Sequence, residues 1–213
     1  MVVLFGTLGF TPEKFLPSLR QHAPVDAVRI FHDAEPRSQE AALDVQRHCK
    51  ELGIDCTPVQ VNAFDIVEAA GTIRRELRRF EHGSVVFNIT GGTAVLSCAA
   101  LLVAVLDGVR TETVDLRDAQ APPIPLPLLT ISYKELLTGA QRTVLRAISD
   151  GRGKVTQRDL VEQLGLRKAT VSHHVKTLKH RGLVSGRSAE DGRMEYLDVP
   201  ASASLLLADD PPV

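Results

Sequence analysis

Two short segments of the chain combine glycines with hydroxyl and amide side chains, as loops that bind phosphate groups do. Residues 6–10 are Gly-Thr-Leu-Gly-Phe, and residues 88–93 are Asn-Ile-Thr-Gly-Gly-Thr. Glycines let the backbone approach a phosphate closely, and Asn and Thr side chains can hydrogen-bond ribose or phosphate oxygens. Neither segment is a Walker motif, because no Gly-Lys-Ser/Thr follows, and neither is a GxGxxG fingerprint with its acidic residue. The residues alone leave two interpretations open, a phosphate site or two tight strand-to-helix turns.

A second group of residues, within positions 167–181, has the composition of a helix that contacts DNA. Val171, Val175 and Leu178 are spaced i, i+4, i+7, so they share one face that we expect to be buried. The other faces carry short hydroxyl and imidazole groups that can reach base edges, and lysines that can meet phosphates. His174, beside a core position, is interpreted as a packing or capping residue. The predicted DNA contacts of this helix are Lys168, Thr170, Ser172, His173, Lys176, Thr177 and Lys179.

A hairpin is predicted directly after this helix, which ends at Gly182. Residues 183–187 and 194–199 are expected to form its strands, and Asp191-Gly192 lies in its turn. Arg187 and Arg193 flank the loop, where a minor groove or a DNA backbone could receive them. This pattern is typical of the wing of a winged helix.

The charge of the chain is distributed unevenly, although the net charge is only −1. Residues 1–130 hold 12 Lys/Arg and 16 Asp/Glu, whereas residues 131–200 hold 13 and 8. An anionic partner is therefore expected for the C-terminal part only.

The overall composition is that of an ordinary globular protein, with 213 residues, 44% hydrophobic and 24% charged. Cys49, Cys56 and Cys98 lack metal-type spacing, and no secretory signal is visible, so a cytoplasmic location is expected. Residues 89–106 are uncharged, but an opening turn leaves about 13 helical residues, fewer than the ~20 that span a bilayer. We expect a buried helix there and no membrane association.

The first 118 residues alternate β-branched runs with helical stretches. Because parallel strands need helical crossovers, this order predicts a mostly parallel, doubly wound sheet. Arg74, Arg75, Arg78 and Arg79 are expected to form a polar face of one helix. The predicted strands are residues 2–5, 27–31, 55–61, 84–87 and 111–116; the predicted helices begin at Pro12 after a Thr11 cap and then cover residues 38–52, 65–80 and 93–106.

The domain boundaries follow from a change of composition. Residues 119–132 are predicted to be a linker because residues 119–127 contain four prolines. Residues 128–131 are interpreted either as a last edge strand or as the start of the second domain. Helices capped by Thr138 and Thr156 then precede the DNA-contacting helix in a domain covering residues 133–200. Residues 201–213 are expected to be a flexible tail.

The run from Ala169 to Val184, Ala-Thr-Val-Ser-His-His-Val-Lys-Thr-Leu-Lys-His-Arg-Gly-Leu-Val, closely resembles the recognition helix and following strand of ArsR- and MarR-like winged-helix regulators. The resemblance covers about 65 residues and implies binding to double-stranded DNA. A winged helix used for protein contacts is the alternative, which the positive charge disfavours. A metal sensor is not expected, because this domain lacks Cys and its histidines lie on different faces. No metal or other cofactor is predicted.

The two glycine loops and the C-terminal winged helix together resemble the archaeal regulators that carry a CRISPR-associated Rossmann fold, or CARF, domain. The resemblance implies an α/β chain with a Rossmann-like doubly wound CARF domain followed by an α+β winged helix-turn-helix domain. It also implies a homodimer with a twofold cleft for a cyclic oligoadenylate, most often cyclic tetra-adenylate, and a role in regulating transcription in antiviral defence. The implied nucleotide contacts are Thr7, Leu8, Gly9, Phe10, Asn88, Thr90, Gly91, Gly92 and Thr93.

One position departs from the family pattern. Members commonly carry Lys or Arg directly after Gly-Gly-Thr, and here that residue is Ala94. This departure leaves open a constitutive regulator whose first domain only dimerises. A ring nuclease that cleaves the ligand is a further alternative, which the lack of a cation at position 94 disfavours. No catalytic residues are predicted. The polar residues His32, Asp33, Glu35 and Asp65 near strand ends are interpreted as solvated loop residues.

Overall fold

The structure is a computed structural model that describes residues 1–114, 121–127, 137–188 and 194–200, together with residues 203 and 207. The chain divides into two compact units, Met1–Tyr133 and Lys134–Val213.

The first unit is built on a six-stranded sheet in the order β3-β2-β1-β4-β5-β6. The first five strands are parallel to one another, and β6 pairs antiparallel with β5. The predicted doubly wound, Rossmann-like sheet is confirmed. The strands are β1 (Val3–Thr7), β2 (Ala27–His32), β3 (Asp55–Gln60), β4 (Val85–Asn88), β5 (Arg110–Thr113) and β6 (Ile124–Pro125).

Helices cover both faces of this sheet. The core of one face joins Leu4, Val28 and Ile30 of the strands to residues of the first two helices. On the other face Phe5 packs against Phe87, with ring centroids 5.2 Å apart. The helices of this unit are α1 (Leu16–Gln21), α2 (Pro36–Glu51), α3 (Ile66–Leu77) and α4 (Ala94–Asp107).

The prediction of a helix starting at Pro12 under a Thr11 cap was wrong. Pro12–Lys14 form a single 3-10 turn, the Thr11 side chain makes no capping hydrogen bond, and α1 starts only at Leu16. Pro17 lacks the N–H that a continuous helix would bond to the carbonyl of Glu13, so a separate helix begins at Leu16 with Pro17 in its first turn.

Arg74 does not lie on a polar face, as the arginine run of α3 suggested. Its side chain is 1% exposed and forms two hydrogen bonds with Asp107 of α4, from Nε at 2.6 Å and from Nη2 at 2.9 Å. Arg75, Arg78 and Arg79 are exposed, as predicted. The bidentate pair joins α3 to α4.

Part of the segment predicted to be a linker belongs to the sheet. Ile124 and Pro125 pair with Thr113 and Glu112 of β5, and the N–H of Leu126 donates to the carbonyl of Thr111 at 2.8 Å. A proline is compatible with this position because β6 is an edge strand. The possible strand at residues 128–131 lies outside the described residues.

The described residues of the second unit include three helices and a hairpin, as predicted for a winged helix. The helices are α5 (Gly139–Asp150), α6 (Gln157–Leu164) and α7 (Lys168–His180), and the hairpin strands are β7 (Ser185–Ser188) and β8 (Glu195–Asp198). Thr138 and Thr156 cap α5 and α6 through complete capping boxes. In the second box the backbone N–H and the hydroxyl of Thr156 donate to Asp159 and hold its pKa below the usual value.

Among the described residues, no helix combines the length and the apolar character needed to cross a bilayer. The uncharged stretch predicted to be a buried helix is α4, which Thr93 caps and which ends at the left-handed Gly108.

Candidate ligand and DNA sites

The two glycine loops meet at the point where the strand order of the first unit reverses. From β1 the chain adds strands on one side of the sheet, and from β4 it adds them on the other. Open α/β sheets bind ligands at such a switch point, beyond the carboxyl ends of the strands. The loops after β1 and β4 are therefore in the position where this fold class binds ligands.

Close packing between the two loops explains their glycines. The Thr7 hydroxyl donates to the carbonyl of Gly91 at 2.8 Å. A Cβ on Gly91 would lie 2.5 Å from the Thr7 carbonyl oxygen, and one on Gly9 would lie 3.3 Å from the Gly92 nitrogen. Gly92 has φ of +83°, which side chains rarely tolerate. Both loops are thus fixed in one conformation by direct contact.

Asn88 and Thr90 also use their side chains within the protein. Asn88 is 2% exposed; its Nδ2 donates to the Lys14 carbonyl and to Ser18 Oγ, and its Oδ1 accepts from the Thr90 N–H. The Thr90 hydroxyl oxygen accepts from the N–H of Val114 at 2.8 Å. These two side chains hold the second loop in place.

A smaller part of the predicted nucleotide set is accessible in this unit. Leu8 is 1% exposed, so it can offer only backbone to a ligand, and its N–H already donates to the Phe31 carbonyl. Phe10 is 51% exposed, and Gly92 and the first residue of α4, Ala94, are also exposed. Thr93 is half-buried and donates to the Ala63 carbonyl at 2.7 Å. The exposed surface therefore consists of Phe10, Gly92 and Ala94, and Gly9, Thr90 and Thr93 are half-buried.

A cavity of about 560 Å³ lies beside this surface, at the carboxyl ends of β2 and β3. It has the size of a small-molecule site. Phe10 and Thr93 contribute to its wall, so it adjoins both loops. The remaining lining residues are Asp33, Ala34, Glu35, Gln60, Val61, Asn62, Ala63, Phe64, Glu68 and Thr72.

Four polar residues near strand ends have different positions around this cavity. Asp33 and Glu35 line it, which their interpretation as scattered solvated residues did not anticipate. His32 is buried, with Nδ1 2.8 Å from the Asp33 carbonyl, and Asp65 caps α3 by accepting from the N–H groups of Val67 and Glu68.

Arg37, which sequence reasoning did not single out, stands at the edge of the same region. Its guanidinium carbon lies 4.4 Å from the centroid of the Phe10 ring, a cation–π distance. The signal that could have found it is its place in the first turn of α2, directly after a strand of the sheet.

The buried face of α7 is the one predicted. Val171, Val175 and Leu178 are at most 1% exposed. Lys168, Ser172, His173 and Lys176 are exposed, whereas Thr170, Thr177 and His174 are half-buried. The Thr177 hydroxyl donates to the carbonyl of His173 within the helix. Exposed polar groups thus follow one side of a helix that a buried apolar face holds rigidly.

The three remaining predicted DNA contacts, Lys179, Arg187 and Arg193, have different surroundings. Lys179 Nζ lies 2.5 Å from Glu195 Oε1 of β8, so this lysine connects α7 to the hairpin. The pair passes over Gly186 of β7, where an added Cβ would collide with the Glu195 carboxylate. Arg187 is exposed on β7, and Arg193 lies outside the described residues.

No group of three or more His, Cys, Asp or Glu side chains suited to a metal ion occurs in the described parts of either unit.

Comparison with protein families gives two matches. The model described as the Csa3 CRISPR-associated Rossmann-like domain matches residues 2–120, and the MarR family model matches residues 137–194. A comparison with curated proteins gives no match.

Solved structures similar to the chain include Can2 from Sulfobacillus thermosulfidooxidans in complex with cyclic tetra-adenylate (14% identity, 97% of this chain and 64% of that chain, TM-score 0.48). They also include MarR (22% identity, 34% and 53%, TM-score 0.32) and the PcaV transcriptional regulator from Streptomyces coelicolor with its natural ligand (26% identity, 37% and 55%, TM-score 0.32). The chain spans about half the length of these two regulators.

The first family match covers more than half of the chain, and the second coincides with the three helices and the start of the hairpin. The protein therefore belongs to the family of the Csa3 CRISPR-associated Rossmann-like domain and carries a MarR-type winged helix after it, the domain composition of a CRISPR-associated transcriptional regulator.

Proposed function

We propose that this protein regulates transcription by binding double-stranded DNA through α7 and the hairpin, and that a cyclic oligoadenylate bound by the first unit changes its affinity for DNA. The observation that carries the DNA-binding half is the exposed polar side of α7, with Lys168, Ser172, His173 and Lys176 opposite a fully buried apolar face. Such a helix can enter a major groove without rearranging its core. The excess of 13 Lys/Arg over 8 Asp/Glu in residues 131–200 adds attraction to phosphates.

The ligand-binding half is supported by the accessible backbone at the switch point. α4 begins at Ala94, two residues after the exposed Gly92, and the first N–H groups of a helix attract anions. A phosphate at Gly92 and Thr93 would lie beside the cavity. Ala94 provides no cation, so the proposal assigns phosphate binding to backbone groups rather than to a lysine.

We also propose that the protein is a homodimer formed through α4. The exposed or half-buried residues of this helix include Ala94, Cys98, Leu101, Leu102 and Val105, and their spacing places them along one side of it. The side is uncharged, and Val105 is 42% exposed. Because α4 begins at the glycine loop, pairing of two copies through it would place the two ligand sites across a twofold axis.

Cys98 makes the dimer testable. Cys98 is exposed, whereas Cys49 and Cys56 are buried. The hydrogen bond with Cys49, together with burial, raises the pKa of the Cys56 thiol, which disfavours the reactive thiolate there. Mild oxidation should yield a dimer linked through Cys98, and Cys98→Ser should remain monomeric on a non-reducing gel while sedimenting as a dimer. A monomeric sedimentation coefficient for the unmodified protein would contradict the proposal.

The regulatory function can be tested with a DNA duplex selected by the protein from a random library. Its affinity would be measured by fluorescence anisotropy with and without cyclic tetra-adenylate or cyclic hexa-adenylate, alongside calorimetric titration of each ligand. We expect heat of binding and a change in DNA affinity for at least one ring size, because a ligand shifts an equilibrium only by its differential affinity for the two states. Ligand binding with unchanged DNA affinity would favour the constitutive regulator, and absence of heat would remove the ligand assignment.

Incubation with labelled cyclic tetra-adenylate followed by chromatography tests the ring nuclease alternative. We expect intact ligand after many binding half-lives. Linear products at a rate above that of the buffer control would show that the first unit is an enzyme.

A further inference from the structure

The cavity beside Phe10 has a lining that suits a nucleoside better than a phosphate. Its described lining residues include the carboxylates of Asp33, Glu35 and Glu68 and no lysine or arginine. Carboxylates only accept hydrogen bonds and repel anions, but they pair well with hydroxyl and amino groups. A ligand would therefore place sugar hydroxyls or a base amino group here and keep its phosphates outside, toward Gly92 and Thr93.

Phe64 gives the cavity an aromatic wall. Its side chain is 76% exposed, and the N–H of this residue is 3.3 Å from the Asn62 side-chain oxygen within the loop after β3. Phe10, on the other side of the cavity, already has Arg37 over its ring. A planar base can stack on an exposed aromatic face, which is a sequence-tolerant contact used by many nucleotide-binding proteins.

The three carboxylates are not equivalent. Asp33 Oδ1 accepts from the N–H of Glu35 at 3.0 Å, and Glu68 Oε2 accepts from Asn62 Nδ2 at 3.0 Å. Glu35 is the residue before the first turn of α2, yet its side chain makes no capping hydrogen bond. Its carboxylate is thus exposed at the cavity without a role in holding the helix end.

We propose that this cavity is the base subsite of the ligand: an adenine stacks on Phe64, and Glu35 accepts a hydrogen bond from the 6-amino group. The inference rests on the proposed function, since it assigns one adenosine of a cyclic oligoadenylate to each copy of the cavity. Recognition by an acceptor would favour adenine over hypoxanthine, whose carbonyl oxygen at the same position would face the carboxylate.

The test compares cyclic tetra-adenylate with cyclic tetra-inosinate by calorimetric titration of the full chain. In the inosinate a carbonyl oxygen replaces each 6-amino group, and N1 of the base carries a hydrogen. The unmodified protein should bind the inosinate at least tenfold more weakly. Glu35→Gln should narrow or reverse this preference, because the amide can donate to the carbonyl oxygen. Phe64→Ala should lower the affinity for cyclic tetra-adenylate about tenfold or more.

Leu52→Ala is the matched control, since Leu52 is also an exposed apolar residue, at 57%, but does not line the cavity. It should bind both ligands like the unmodified protein. Sedimentation of every variant must show an unchanged oligomeric state. The inference would be overturned if Phe64→Ala lost ligand affinity only because its dimer dissociates, and if Glu35→Gln kept the preference for cyclic tetra-adenylate over cyclic tetra-inosinate.

The two proposals fail differently. If the unmodified protein binds no cyclic tetra-adenylate, the proposed function falls and this inference with it. If it binds cyclic tetra-adenylate and cyclic tetra-inosinate equally, and Phe64→Ala binds as before, the base subsite is wrong while the regulatory function stands.

Discussion

The two units use their polar side chains in opposite ways. In the Rossmann-like unit, Thr7, Asn88 and Thr90 are committed to contacts within the protein, and even an arginine, Arg74, is buried against Asp107. In the winged-helix unit, Ser172 and Lys176 are exposed on a helix whose buried face is apolar. Motif residues of the first unit therefore build the shape of a site, whereas in the second unit Ser172 and Lys176 remain available for contact. Substitutions of such residues in the first unit should therefore lower stability, and substitutions on the exposed side of α7 should lower DNA affinity.

The largest effect that tests this contrast is expected at the buried ion pair. Asp107→Ala would leave the Arg74 guanidinium charged and buried, which costs about 3–5 kcal/mol of unfolding free energy. Glu162→Ala in the second unit removes one partner of the exposed Arg158–Glu162 pair and should cost less than about 0.5 kcal/mol. Guanidinium denaturation of both variants measures the difference.

A double variant sharpens the same comparison. Arg74→Met combined with Asp107→Leu removes both charges and fills their space, so most of the lost stability should return. Similar unfolding free energies for Asp107→Ala and Glu162→Ala would show that the buried ion pair contributes no more to stability than the exposed one.

The second effect concerns binding rather than stability. Lys176→Ala should weaken DNA binding by about five- to tenfold at 0.1 M salt and lower the slope of log K against log salt by about one, because one phosphate contact is lost. Its thermal stability should stay unchanged. Lys50→Ala removes an equally exposed lysine from the first unit and should leave both quantities as they were; equal losses in the two variants would point to net charge instead of α7.

A smaller loss of stability is expected inside the glycine loops. Thr7→Val removes the hydrogen bond to the Gly91 carbonyl, which still accepts from the Ser97 hydroxyl at 2.9 Å. The cost should be about 1 kcal/mol, the net value of one hydrogen bond, since Gly91 keeps a partner. Thr57→Val changes an exposed threonine of the same sheet and should be neutral. Urea unfolding compares them, and a neutral Thr7→Val would mean that the loops do not depend on each other.

The smallest effect is expected in the wing. Gly186→Ala would displace the Glu195 carboxylate and break its pair with Lys179, costing under about 1 kcal/mol because the pair is partly exposed. The stability that remains should depend less on salt. Gly139→Ala, where an added Cβ meets no atom within 4 Å, is the control in the same unit. Identical salt dependence of both variants would contradict a role for the pair.

Local patterns predicted the parts of the fold that depend on neighbours in sequence. The spacing of Val171, Val175 and Leu178 defined the buried face of α7, and Thr138 and Thr156 identified two helix starts. These features are determined within one or two turns, so a single sequence contains them.

The features that sequence reasoning missed join distant segments. Arg74 looks like one more surface arginine until Asp107, 33 residues away, is placed against it. The cavity takes Phe10, Glu35 and Phe64 from three separate connections, and no local spacing relates them. Leu8 matched the family pattern for a ligand contact, but only the packing of the loops shows that its side chain faces the core.

The cavity is formed largely by connections and helix starts rather than by the sheet that supports them. Phe10, Glu35 and Phe64 each belong to a different segment following a strand, and the glycine contacts fix the switch point independently of their side chains. We therefore expect substitutions at these three positions to leave the fold intact. Such an arrangement separates the residues that line the cavity from the contacts between the two loops, so the lining could be exchanged on an unchanged scaffold.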